Sequence, residues 1–181
     1  EEAGGHYFYT RNDGLQNQAG LYVREGLDGA PRVLIDPNTW SQDGATALGE
    51  WDPSSDGRHL LYGIQDGGTD WRILRVIETA TGRQLPDEIR WVKFSTIDWA
   101  KDGSGFFYSR FPEPRAAAQF QSTNENHAVY FHRLGTPQSQ DRLIYATPDR
   151  PRLSHRVQVS EDGKWLIVTS TEGTDARHEI T

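Results

Sequence analysis

Three segments of this 181-residue chain repeat one another around an Asp-Gly pair. Pro53-Ser54-Ser55-Asp56-Gly57-Arg58-His59-Leu60-Leu61-Tyr62 lines up with Trp99 to Tyr108, through Asp102-Gly103, and with Val159 to Val168, through Asp162-Gly163. Each reads as strand, hairpin, strand, because the glycine supplies the positive φ that a tight reversal between twisted strands demands. Ten residues beyond Gly57 and Gly163 come Gly67 and Gly173, and a Gly-Thr-Asp follows in both places. The hairpin glycines stand 46 and then 60 residues apart, close to the roughly 40 to 50 residues of a four-stranded propeller blade. Such a period calls for small sheets repeated around an axis rather than a two-sheet sandwich.

The intervening sequence agrees. Short alternating runs recur at His6–Thr10, Leu21–Arg24, Arg32–Ile35, Leu60–Ile64, Trp71–Ile77, Val92–Ile97, Phe106–Tyr108, Ala128–His132, Leu143–Tyr145, Val157–Val159 and Trp165–Val168. Each has the period and residue types of a strand, and none sustains a helical repeat. Hydrophobic residues are only 35% of the chain, but six Trp, seven Tyr and seven Phe argue against disorder, and 18 Gly with nine Pro suit turns. The expected class is all-β: one partial blade over about 4–36, complete blades near 46–86 and 91–147, and another begun at about 154–181. Three and a half blades do not close a ring, so a larger propeller is expected, of which this is a part. The absence of Met and the start at Glu1-Glu2-Ala3 point the same way.

Several functions are excluded or disfavoured. With 26 acidic against 19 basic side chains, the net charge of −7 opposes a sequence-blind nucleic-acid surface. The longest apolar runs fall far short of the roughly 20 residues of a membrane helix; a soluble protein, cytoplasmic or periplasmic, is expected. Zero Cys removes disulfides, thiolate metal sites and cysteine nucleophiles. No Gly-x-Ser-x-Gly, phosphate-binding loop or dinucleotide fingerprint is present, so no catalytic residue is expected in this segment. His178-Glu179 is half of a zinc motif and reads as strand. Asp66-Gly67-Gly68-Thr69-Asp70 reads as a polar turn with too few oxygen ligands for calcium. Neither metal nor cofactor is expected.

One connection stands out by length. The turn at Gln65 to Asp70 is short, whereas its counterpart runs from Phe111-Pro112-Glu113-Pro114-Arg115 to about Asn126. A connection near 15 residues is long for a compact blade and is often functional. Phe111 follows a strand and precedes a proline that holds it extended. It either covers the blade end or offers an aromatic platform to a ligand.

Asn12-Asp13-Gly14-Leu15-Gln16-Asn17-Gln18, Leu21-Tyr22-Val23, Leu34-Ile35-Asp36-Pro37-Asn38, Gly68-Thr69-Asp70-Trp71, Leu85-Pro86-Asp87, Val92-Lys93-Phe94-Ser95 and Leu134-Gly135-Thr136 occur in that order. Together they resemble the N-terminal propeller of the prolyl oligopeptidase family, over nearly the whole chain. The resemblance implies a seven-bladed propeller mounted on an α/β-hydrolase domain that carries the catalytic Ser, Asp and His. It implies short proline-containing peptides as substrates, cleaved after proline, with the propeller gating access. By the same resemblance Phe111 matches an aromatic lining the subsite for the residue two before the proline, and Asp87 matches an acid that pairs with an arginine of the hydrolase domain, whereas a lone Asp after Pro, read by itself, is a solvated turn. The Pro112 to Gln121 stretch departs from the family in its Pro and Ala content. A non-catalytic scaffold for a protein partner, or a related oligopeptidase of the same clan, are the competing readings.

Overall fold

A computed structural model describes residues 1–67, 69–114, 124–175 and 177–181. The described chain divides into two compact units, Glu1–Glu88 and Ile89–Thr181. In the first, β1 (Glu2–Ala3), β2 (His6–Arg11), β3 (Gly20–Glu25) and β4 (Arg32–Ile35) form an antiparallel sheet in chain order. A single 3₁₀ turn at Pro37–Thr39 leads to β5 (Ala47–Pro53), β6 (His59–Gln65) and β7 (Arg72–Glu78), again neighbours in chain order, with β8 (Gln84–Trp99) next to β7. Phe8, Leu21, Val23, Leu60, Tyr62 and Ile77 belong to one buried cluster, with Trp40 and Trp51 packed against it.

In the second unit the later part of β8 pairs with β9 (Gly105–Arg110), which is followed across the sheet by β10 (Ala128–Arg133) and β11 (Arg142–Ala146). A second sheet holds β12 (Leu153–Val159), β13 (Leu166–Glu172) and β14 (Glu179–Ile180). Along β12 burial alternates, with Leu153, His155, Val157 and Val159 inward and Arg156 and Gln158 exposed, as a period of two dictates.

The hairpin repeats have a common physical basis. Ser54 Oγ donates to Asp56 Oδ1 at 2.7 Å, and the Arg58 amide donates to the same oxygen at 3.0 Å. Ser160, Asp162 and Lys164 repeat this at 2.6 and 3.1 Å. Gly57 sits at φ 68°, and a Cβ there would meet the Ala3 carbonyl oxygen at 2.4 Å. Glycine is thus required twice over, by backbone conformation and by space.

Two elements depart from the sequence reading. β5, the first arm of the Asp56-Gly57 hairpin, extends back to Ala47, further than the sequence pattern marks, because its residues are all half-buried save Pro53 and show no clean alternation. Leu85-Pro86-Asp87 lies inside β8 rather than in a turn.

Candidate functional site

In the second unit, β8 changes its register with β9 between Val92 and Ile97. Trp91, just before that shift, and Phe94, within it, adopt φ of 65° and 55°, values costly for aromatic residues. The consequence is a reversal of facing. Strict alternation would turn Phe94 inward with Val92, yet Val92 is buried and Phe94 is 41% exposed. Phe94 forms one wall of a cavity of about 650 Å³, whose other walls include Glu125, Arg152, Ser154, Arg156 and Thr174. Arg152 is held by Glu172 at 2.8 Å.

Phe111 does not line this cavity; it stands directly behind Phe94. Its ring is 3% exposed, meets Phe94 edge-on at 6.3 Å and 84°, and lies 4.5 Å from the His127 ring. The Phe111 amide donates to the Trp91 carbonyl at 3.2 Å, tying the end of β9 to the strained segment. Residues 115–123 of the long connection lie outside the described residues, as does Gly68 of the shorter turn.

Behind the aromatic pair is a column of buried imidazoles. His127 Nε2 lies 2.9 Å from the Lys93 carbonyl oxygen, and the His155 backbone amide donates to His127 Nδ1 at 2.8 Å. Burial, reinforced by the neighbouring His155, pushes the His127 imidazole down to about 4, against the opposing pull of the Lys93 carbonyl. His155 is lowered too, first by burial and then by Arg150. Its Nδ1 meets Ser170 Oγ at 2.8 Å and its Nε2 meets Thr147 Oγ1 at 3.1 Å. A serine beside an imidazole is how a hydrolase nucleophile begins, but Ser170 is 1% and His155 0% exposed. No substrate carbonyl reaches them, and the pair is structural.

The same device holds the free edge of β12. Thr96 Oγ1 accepts from the Val157 amide at 2.8 Å and donates to the Val157 carbonyl at 2.8 Å, and Asp98 Oδ2 accepts from the Val159 amide at 2.8 Å. With His127 on His155, three side chains take three alternate amides of an edge strand, leaving no open ladder there. Burial raises the Asp98 carboxyl against the lowering effect of the Val159 amide. Deeper still, His132 Nδ1 lies 2.6 Å from Asp141 Oδ1, and the Tyr108 hydroxyl donates to Asp141 Oδ2 at 2.7 Å. Burial and the Asp141 carboxylate raise Tyr108 well above the ordinary phenol range, so it remains a donor at all physiological pH.

Asp87, in the first unit, is 3% exposed on β8, which excludes a solvated turn. The preceding Pro86 is exposed, and a proline in a strand requires that no ladder bond need its missing N–H. Among the described residues no group of three or more His, Cys, Asp and Glu is placed to hold a metal, and no helix is long and apolar enough to cross a membrane.

The sequence profile of the prolyl oligopeptidase N-terminal β-propeller domain matches residues 2–180. The chain belongs to that family. It is 37% identical over 172 residues to a prolyl endopeptidase of Elizabethkingia meningoseptica, covering 95% of this chain and 24% of the relative. It is 31% identical to the dual function macrocyclase-peptidase POPB of Galerina marginata, over 96% of this chain and 26% of the relative. Among solved structures, a prolyl endopeptidase superposes with a TM-score of 0.89 at 45% identity, covering 99% of this chain and 25% of that one. Prolyl oligopeptidase B of Galerina marginata, bound to a 25mer macrocyclization substrate, superposes at 0.84 and 29% identity, covering 97% of this chain and 27% of that one. The sheets described above are therefore part of a prolyl oligopeptidase β-propeller, and the chain spans about a quarter of the length of these relatives.

Proposed function

We propose that this chain is the propeller portion of a serine peptidase that cleaves short peptides after proline, limiting access to the site and lining part of the substrate cavity. The observation that carries the reading is the family match over residues 2–180, joined to a cavity walled by an outward-turned Phe94 with Phe111 behind it. A flat apolar face beside a polar rim suits a peptide: the aromatic takes a side chain, and Arg156 and Thr174 take its polar backbone or charged neighbours. Phe111, buried behind Phe94, contributes to binding the residue two before the proline by holding Phe94. The bond-breaking groups reside in an α/β-hydrolase domain of the same polypeptide. There a serine attacks the carbonyl after proline, an imidazole moves the proton, and amide donors stabilise the oxyanion.

Asp87 contributes to the contact between propeller and hydrolase domain. Asp87→Asn in the full-length protein is expected to make turnover less sensitive to added salt and to change kcat and KM together. Unchanged kinetics with an unchanged salt response would limit it to a role within its own sheet.

The decisive experiment is hydrolysis of a Gly-Pro-linked chromogenic peptide by the full-length protein. Release after proline, with no release from a lysine-linked analogue, is the expected result. Cleavage after basic residues, or no turnover with a complete triad, would overturn it.

A further inference from the structure

His127 makes two hydrogen bonds that leave its ring no choice of protonation state. The Lys93 carbonyl can only accept, so the Nε2 beside it at 2.9 Å carries the proton. The His155 amide can only donate, so the Nδ1 it reaches at 2.8 Å is bare. A ring flip would break both bonds, and a second proton would face an N–H. The partners are as informative as the bonds. Lys93 sits between Trp91 and Phe94, the two residues at positive φ whose conformation turns Phe94 outward. His155 lies on β12, whose next outward residues, Ser154 and Arg156, line the cavity. The face of the same imidazole backs Phe111 at 4.5 Å, and Phe111 meets Phe94. One buried ring thus touches the backbone that aims Phe94, the aromatic behind it, and the strand that supplies Ser154 and Arg156 to the cavity.

We propose that His127 is a positioning residue for substrate selection: as a neutral imidazole protonated on Nε2, it fixes the Phe94–Phe111 corner that receives the side chain upstream of the proline. The inference rests on the function proposed above. A ring that merely fills the core would be replaceable by another ring, and its loss would affect all peptides alike.

The test uses the full-length protein and two peptides, with Phe or Gly two positions before the proline. His127→Phe keeps a ring and removes both hydrogen bonds; His127→Gln keeps a donor and an acceptor without the ring. His127→Phe is expected to raise KM for the Phe peptide by about three- to tenfold, leaving the Gly peptide and both kcat values within about twofold. His127→Gln should recover part of that selectivity. Equal changes for both peptides, or none, overturn the proposal. Phe94→Ala is measured alongside. If it discriminates and His127→Phe does not, only the role of His127 falls; if Phe94→Ala fails to discriminate, the subsite itself falls and this inference with it. Should His127→Phe not fold, His127→Leu, which also removes both hydrogen bonds, carries the comparison, and wild-type selectivity in that variant overturns the proposal.

Discussion

The inward positions of β3 and β6 in the first unit are Leu21, Val23, Leu60 and Tyr62, joined by Phe8 and Ile77. In the second unit the inward positions of β10 and β12 include His132 and His155, and His127 lies against His155, all three buried. Aliphatic contacts are non-directional, so the first unit can be filled by any well-packed set of similar volume. A buried imidazole is different, because it costs desolvation unless each nitrogen finds a partner, and those partners fix its orientation. The second unit therefore holds its sheets together through named side-chain-to-backbone bonds, at Thr96, Asp98 and His127. That is also where the cavity lies. The second unit has apolar packing too, around Val129, Val157 and Val168, and adds these directional bonds where the strands that wall the cavity must keep their geometry.

The contrast breaks most sharply at His132. Replacing it with Leu removes the imidazole bonded to the buried Asp141 carboxyl group, and a loss of about 1–3 kcal/mol is expected in urea unfolding. A loss below about 1 kcal/mol would mean that the second unit tolerates apolar filling as the first does. Leu60→Ala is the matching change in the first unit. It is expected to cost about 2–5 kcal/mol from lost transfer energy and a residual cavity, and Leu60→Met, which conserves volume, less than about 1.5 kcal/mol.

Acid should separate the units next. The unfolded chain takes up a proton on histidine near pH 6.5, whereas folded His127 does so only at about 4. The unfolded state thus binds more protons between those values, and stability is constant above pH 6.5 and falls as pH drops toward 4, by about 3 kcal/mol for a shift of this size. The carboxylates held below their ordinary range by hairpin hydrogen bonds, Asp56 and Asp162, lose their contribution only at lower pH. His127→Gln should flatten the upper window; hydrogen exchange should show the second unit opening first as pH falls, and the first unit opening first would contradict the assignment.

How much of this was legible in the sequence follows from the range of each interaction. The Asp-Gly hairpins were readable because the aspartate, the glycine and the amides they serve lie within five residues. The strands around them follow from alternation, and the start of β5 escaped because its half-buried residues do not alternate. The site was harder. Phe111 was visible as an aromatic before a proline, but its burial depends on His127, sixteen residues on, and on Phe94, seventeen residues back. Phe94 itself was hidden by its own strand pattern: alternation assigns it inward, and only the positive φ of Trp91 and Phe94 reverses it. Asp87 follows a proline, which suggests a turn, yet Pro86 occupies an exposed strand position that tolerates the missing donor.

The residues at the cavity walls, Phe94 to Thr174, all belong to the second unit, so the second unit and not the first should set its geometry. The most direct measurement compares Phe111→Ala with Leu60→Ala in the full-length protein, reading kcat/KM for peptides with Phe or Gly two positions before the proline. Phe111→Ala, by removing the edge-on support of Phe94, should lower kcat/KM for the Phe peptide by roughly two- to tenfold, mainly through KM, with a much smaller loss for the Gly peptide. Leu60→Ala, also a large-to-small change in a buried position, should leave the ratio between the two peptides unchanged. Equal losses on both peptides for Phe111→Ala, or a shifted ratio for Leu60→Ala, would contradict the account.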